Sequence, residues 1–411
     1  MFYKILLLAL PLGLASHAHS APLSFANALE LAEQHSPALA AQTAGIAAAH
    51  SMTRPAGTLP DPKLLLGVEN VPVSGPDAGS LTDDGMTMQT IGLMQEFPNT
   101  AKRQARKDSA RALLAREENQ QELIQREVRR AAATAWLTRF YLEQRGVLLD
   151  ELARENQLFS DVVKAVQTTG GATSADGLAS RREAAALADR RDDLQRELAA
   201  ANAELAQWIG APVLDGLKGS PPTVLIDGDR LHEQLPTHPK LLRYEALTHI
   251  AEARLREASA ATRPDWGMEV VYGHRGDRYD DMVSLQVSLD LPVSTGSRQH
   301  PKIAARRQQL ASVDAEREGA LRQLRVELAD QLAELAQLEN QLERTRSSWL
   351  PLAQDNARLQ LAGYRAGRVP IATVLEARRD WLDQRVRAID LASKAAIVAA
   401  GLQFYFGGEQ P

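Results

Sequence analysis

The chain contains no cysteine among its 411 residues, which excludes disulfides, thiolate metal sites and a cysteine-anchored lipid. Beyond the N-terminus no apolar run reaches the roughly 18 residues that mark a membrane helix, so any insertion into lipid has to use strands. Basic residues are not in excess: 47 Lys and Arg face 52 Asp and Glu, a net charge of −5, which argues against a nucleic-acid partner. No nucleophile motif, phosphate loop or dinucleotide fingerprint occurs. The nine histidines show no His-x-x-x-His or His-Glu-x-x-His spacing, and two of them fall within the first 20 residues. No enzyme, cofactor or metal site is therefore expected. A periplasmic hydrolase is a poor reading because nothing supplies a nucleophile with its base.

What is present begins with a leader. Lys4 precedes the apolar stretch Ile5 to Ala15, and a small-x-small site follows at Ala18-His19-Ser20. That pattern is a secretory signal peptide over residues 1–20, with the mature chain starting near Ala21. Hydrophobic residues make up 44% of the chain, too many for a disordered protein.

The rest is written twice. His35-Ser36-Pro37-Ala38-Leu39 corresponds to Thr237-His238-Pro239-Lys240-Leu241, and Leu59-Pro60-Asp61 to Arg263-Pro264-Asp265. Glu96-Phe97-Pro98 matches Asp290-Leu291-Pro292. Gly170, Arg181-Arg182-Glu183 and Gly210 match Gly367, Arg378-Arg379-Asp380 and Gly407 with one shared offset. The repeats are thus 21–210 and 229–411, joined by a Gly- and Pro-rich linker at 211–228.

Each repeat reads helix, strand, strand, very long helix, helix, an α+β class. Leu321, Leu328, Leu335, Leu342 and Trp349 recur every seven residues, as do Val128, Ala135, Leu142 and Leu149 in the first half. A seven-residue period makes a left-handed coiled seam. At about 1.5 Å per residue such helices reach on the order of 90 to 100 Å, more than a compact domain needs.

Strands are expected at about 63–71, 86–97, 266–274 and 282–291. In the last, Val283, Leu285, Val287, Leu289 and Leu291 alternate with Ser284, Gln286, Ser288 and Asp290. Alternation of this kind fits a lipid-facing barrel and equally a half-buried soluble sheet. Their length, about 9 to 11 residues, is what a tilted bilayer crossing requires. Four strands fall short of the roughly eight in the smallest closed outer-membrane barrels, so several chains have to build one barrel.

Phe25-Ala26-Asn27-Ala28-Leu29 with His35-Ser36-Pro37, the prolines Pro98 and Pro292 at the strand-to-helix junctions, and Gly363-Tyr364-Arg365-Ala366-Gly367 with Val374-Leu375-Glu376 together resemble the TolC family of outer-membrane efflux proteins. Leu59-Pro60-Asp61-Pro62, Gly67-Val68-Glu69-Asn70-Val71-Pro72 and Gln95-Glu96-Phe97-Pro98 are similar to the CzcC and CusC-like heavy-metal branch. The resemblance implies a homotrimer of twelve strands, anchored in outer-membrane lipid, continuing into an α-helical periplasmic tunnel. It also implies a periplasmic adaptor meeting tip turns at Gly170, Gly171 and Gly367, and an inner-membrane RND-type pump. Asp176 and Glu376 would ring the entrance, whereas Thr373 stands where a second ring would need an acid. Arg275-Gly276-Asp277 spells an integrin-recognition tripeptide and is read as loop chemistry, as are Asp83-Asp84 and Asp280-Asp281. A TolC-like channel for drugs and a soluble periplasmic coiled-coil adaptor are the alternatives.

Overall fold

The computed structural model describes residues 22–168, 174–210 and 216–407. Its contacts divide into two compact units: one comprises the N-terminus to Ser36, Val128–Leu225 and Leu335–Gly401, the other Pro37–Glu127, Ile226–Glu334 and the stretch from Leu402 onward. We call them the helical unit and the sheet unit.

In the helical unit, β1 (Leu23–Ser24) pairs in parallel with β4 (Leu217–Lys218), and α1 (Phe25–His35) starts at once, its Asn27 N–H capped by the Ser24 hydroxyl. Trp136, from the long helix α3 (Thr100–Thr168), is fully buried here. Its ring stacks on Phe140, meets Phe25 edge-on, and its indole N–H donates to the Leu23 carbonyl at 3.1 Å. A tryptophan can be buried completely only when that donor finds a partner. Lower on α3, Leu148, Leu149 and Leu152 pack with Leu187 and Leu194 of α4 (Ser174–Ile209) and with Leu382 of α9 (Ile371–Gly401).

The sheet unit holds α2 (Pro37–Thr53), α5 (Gly228–Gln234), α6 (Pro239–Ala260) and four antiparallel strands in the order β2 (Lys63–Glu69), β3 (Met88–Phe97), β5 (Trp266–His274), β6 (Met282–Leu289). β2 stops two residues short of the expected end because Asn70 turns into the left-handed region, φ 57°, ahead of Pro72. β3 starts two residues late, since the Met86 and Thr87 N–H groups are bound to Asp84. Pro98 and Pro292 occupy the gaps between strand and long helix, where a residue without an N–H leaves no donor unpaired.

One junction is tied across the repeat. Asn99 caps α3, its side-chain oxygen accepting from the Lys102 N–H, while its own N–H and side-chain amide donate to Asp265 at the mouth of β5. Burial pushes the Asp265 carboxyl up, but Lys102 and the Asn99 donors outweigh it and hold the group below the ordinary range.

Along α7 (Thr295–Arg344) the buried stripe runs through Leu324, Leu328, Leu335 and Leu338, so the seven-residue series seen in the sequence is one of two interleaved series. Trp349 leaves the stripe and is half exposed. A π-helical turn at Thr345–Trp349, just before Pro351, inserts one residue and rotates the helix beyond it. In that continuation, α8 (Leu350–Arg365), Ala353 and Ala357 are buried, one residue later than the heptad would place them.

The last helix corrects the expectation about apolar runs. Ile371–Phe406, α9 continued by a π turn, is long and apolar enough by length and composition to cross a membrane. Leu391, Ala395, Ala399, Ala400 and Leu402 are nevertheless buried in the fold.

His238 caps α6 from a buried position: its Nδ1 accepts from the Lys240 N–H and its Nε2–H donates to the Tyr405 carbonyl at 2.9 Å. Burial, then the Arg126 charge, push its pKa down to about 4, against the opposing pull of the Tyr405 carbonyl. The unfolded ring takes a proton near pH 6.5, so this contribution is complete above about pH 6.5 and is lost as pH falls toward about 4. His238→Asn, which retains a capping side chain, should flatten the fall in melting temperature between about pH 6.5 and 4 measured by circular dichroism in detergent. An unchanged slope would remove His238 as its source.

Candidate functional site

Gly170 and Gly171 lie outside the described residues, and so does the side chain of Asp176, whose backbone is in the first turn of α4. The second turn is fully placed. Gly367 follows α8 with φ 67°, its N–H donating to the Tyr364 carbonyl and the Arg368 N–H to the Gly363 carbonyl. This is the Schellman ending, which needs a left-handed residue after the last helical turn. Gly363 is constrained differently, since a Cβ there would come within 3.1 Å of Val369.

Behind the turn, Phe159 and Val163 of α3 pack with Ile371 and Leu375 of α9, flanked by Leu361 and Tyr364. Glu376 is exposed on α9 between the buried Leu375 and Ala377, so its carboxylate faces water. The repeat anchor Arg378-Arg379 binds this end together. Arg378 donates to Glu155 and lies over the Phe159 ring, while Arg379 donates to the buried Glu183, which raises the guanidinium pKa further.

Sequence reasoning missed an open groove of about 530 Å³ in the helical unit, lined by Arg145, Arg190, Asp383, Arg387, Asp390 and Lys394 among others. Arg145 pairs with Glu197 and Arg190 with Asp383. Burial pushes the Asp390 carboxyl up, against the pull of Arg145 and Lys394. Each of these residues reads as an ordinary solvated helix charge, and only tertiary packing converges them.

The sheet has two unlike faces. Register aligns Leu64, Leu93, Val270 and Leu285 in one row across all four strands, and Leu66, Ile91, Tyr272 and Val283 in the next. All eight are exposed. The same face carries Met268 beside Val287, and Trp266 beside Leu289, with the Trp266 ring stacked on Phe97 at 4.0 Å. Every Lys, Arg, Asp and Glu of the four strands, namely Lys63, Glu69, Glu96 and Glu269, falls on the opposite face. That face is not uniformly polar: Leu65, Met88, Met94, Val271 and Met282 share it. So do Gly67, Gly92, Gly267 and Gly273, where an added Cβ would meet neighbours at 2.7 to 3.2 Å. The backbone and neighbouring side chains are close-packed at those four positions, which leave no room for a side chain. An exposed apolar face of this extent marks a surface that meets something other than water.

The loops at the hairpin ends are tied to one another. Arg275 donates to the Gly85 carbonyl and lies over the Tyr279 ring, so the arginine of the Arg-Gly-Asp triplet is already engaged. Asp84 caps a turn, and Asp281 accepts from Tyr272 and His274. Among the described residues, no three His, Cys, Asp or Glu side chains gather to hold a metal ion.

Gly367→Ala should cost about 1 kcal/mol through backbone conformation alone, because nothing lies within reach of the new Cβ. Gly367→Asn should cost less, since Asn tolerates the left-handed region. Denaturant midpoints in which Ala matches or exceeds Asn would contradict the reading of this turn.

Residues 231–408 match the family described as Outer membrane efflux protein. No curated protein matches the chain. Among solved structures, the chain is similar to CusC, with 16% identity, a TM-score of 0.78, and 94% of this chain and 92% of that one covered. It is similar to the outer membrane protein VceC of Vibrio cholerae at 18% identity and TM-score 0.78, over 93% of this chain and 96% of that one. A membrane protein from Pseudomonas aeruginosa gives 17% identity and TM-score 0.81, over 93% and 90%. The family match and the exposed apolar sheet face agree on one address, the outer membrane. Residues 231–408 match the sequence pattern of outer membrane efflux proteins, and 93–94% of the chain shares the fold of CusC and VceC.

Proposed function

We propose that this chain is one subunit of the outer-membrane channel of a tripartite efflux pump, a passive conduit in which three copies close a twelve-stranded barrel. The single observation that carries the reading is the four-stranded sheet whose apolar face is exposed while its edge strands β2 and β6 have no outer partner among the described residues. Backbone groups left unpaired in hydrocarbon cost several kcal/mol each, so a sheet with open edges has to be closed by further copies. In this reading residues 1–20 are a cleaved leader, the two repeats each supply one hairpin and one helical pair, and the tip turns receive a periplasmic adaptor linked to an inner-membrane RND-type pump. Heavy-metal cations are the proposed cargo, on the strength of the Leu59–Pro62, Gly67–Pro72 and Gln95–Pro98 segments. The drug-export alternative has no observation of its own in its favour.

Purified mature chain in detergent should run as a trimer by light scattering; a stable monomer with a complete barrel signal would overturn the architecture. The two faces give a second check. Leu285→Arg places a charge against lipid at about 2 to 4 kcal/mol near the midplane and should abolish assembly, whereas Ser288→Arg should be tolerated. Equal yields of folded oligomer from both would reverse the assignment of the faces.

The entrance acids are tested by conductance. Asp176→Asn with Glu376→Gln should lower cation selectivity in planar bilayers and weaken block by multivalent cations added on the periplasmic side, with trimer yield unchanged. A double variant that conducts and blocks like wild type would return both residues to the role of solvated helix charges.

A further inference from the structure

We propose that Glu269 sets the charge selectivity of the strand-built part of the channel, one carboxylate per copy forming a threefold ring at mid-strand. The inference rests on the channel reading above and names a position that reading does not use. Glu269 sits in the middle of β5 on the face opposite the exposed apolar rows, aligned with Met94 of β3 and Gln286 of β6. Neither neighbour carries charge; the same row ends two strands away at Lys63 of β2, whose ammonium is neutralised by Glu96.

The remaining charges of that face are accounted for. Lys63, the only Lys or Arg in the four strands, is paired with Glu96. Glu69 closes β2 beside the left-handed Asn70, at the edge of the loop. Glu269 alone stands within the sheet with no cation beside it among the described residues. On the same strand Gly267 leaves the face bare on one side of it, and the short Val271 stands on the other, with Gly273 beyond. No long side chain from β5 covers the carboxylate.

Closing the sheet with its polar face inward repeats this position three times at one height. Carboxylates held in a wall of low dielectric focus their field on the water between them, and rings of Asp or Glu are the general device by which pores favour cations. The substrate class is therefore cationic, and the ring acts by charge, without requiring coordination of a metal. It is separate from Asp176 and Glu376, which belong to the helical unit.

The experiment is reversal-potential measurement in planar bilayers under a potassium chloride gradient, with the full mature trimer. Wild type should prefer potassium over chloride. Glu269→Gln should lower the permeability ratio about threefold or more, Glu269→Asp should retain it, and Asp77→Asn in the external loop should leave it unchanged. Hexaamminecobalt(III) added from the external side should block Glu269→Gln less than wild type. Trimer yield separates charge from folding, since Glu269→Asp preserves the carboxylate if Glu269→Gln assembles poorly. A conducting wild type whose selectivity survives Glu269→Gln, or is lost equally in Glu269→Asp, overturns the ring alone. A wild-type chain that forms no conducting oligomer overturns the channel reading and the ring with it.

Discussion

The structure depends on one constraint, that every backbone N–H and C=O placed in hydrocarbon needs a protein partner. Among the described residues the four strands pair only with one another, so β2 and β6 each keep an open edge. The duplicated sequence makes sense under this constraint. One hairpin per repeat gives an even number of strands and places a helix at each open edge, α2 leading into β2 and α7 leaving β6. In the assembly proposed above, strand pairing between copies brings helices from different copies side by side without any further instruction in the sequence. The separation of charges completes the arrangement, since all four charged strand residues fall on one face and none on the apolar one.

Register is the second theme, and it is handled differently in strands and helices. In the strands a slip of one residue would turn Leu285 inward and Ser288 outward, so the alternation itself specifies pairing. In the helices the heptad is allowed to break. The π turn before Pro351 shifts the buried positions by one residue, leaving Trp349 and Leu352 exposed and Ala353 and Ala357 inside. Small residues inside allow helices to approach closely beyond that point, which Trp349 at its heptad position would prevent.

Periodicity made much of this legible before any coordinates. The strand alternation, the glycine ending at Gly367 and the prolines between strand and helix are local chemistry, and local chemistry is written in consecutive residues. What escaped was non-local. The partners of Arg378 and Arg379, the pairing of Lys63 with Glu96 and the groove around Arg145 all join residues distant in sequence, each of which alone reads as a solvated charge. The π turn escaped for another reason, since one inserted residue leaves no compositional trace beyond the nearby proline. Ile371–Phe406 does not read as an apolar run because nine charges, from Glu376 to Lys394, are spread along it, and only its C-terminal part is nearly free of them.

The bond between Asn99 and Asp265 spans 166 residues. That separation bears on the order of events on the ribosome and in the periplasm. The acceptor that anchors the Asn99 cap and the second strand neighbour of β3 both come from the second repeat, so the first repeat emerges with a strand edge exposed and its cap unanchored. Contacts this distant are slow to form, and an unpaired strand attracts other strands while it waits. The first half of this protein thus spends its synthesis with an open strand edge in need of protection, until β5 arrives to pair with it.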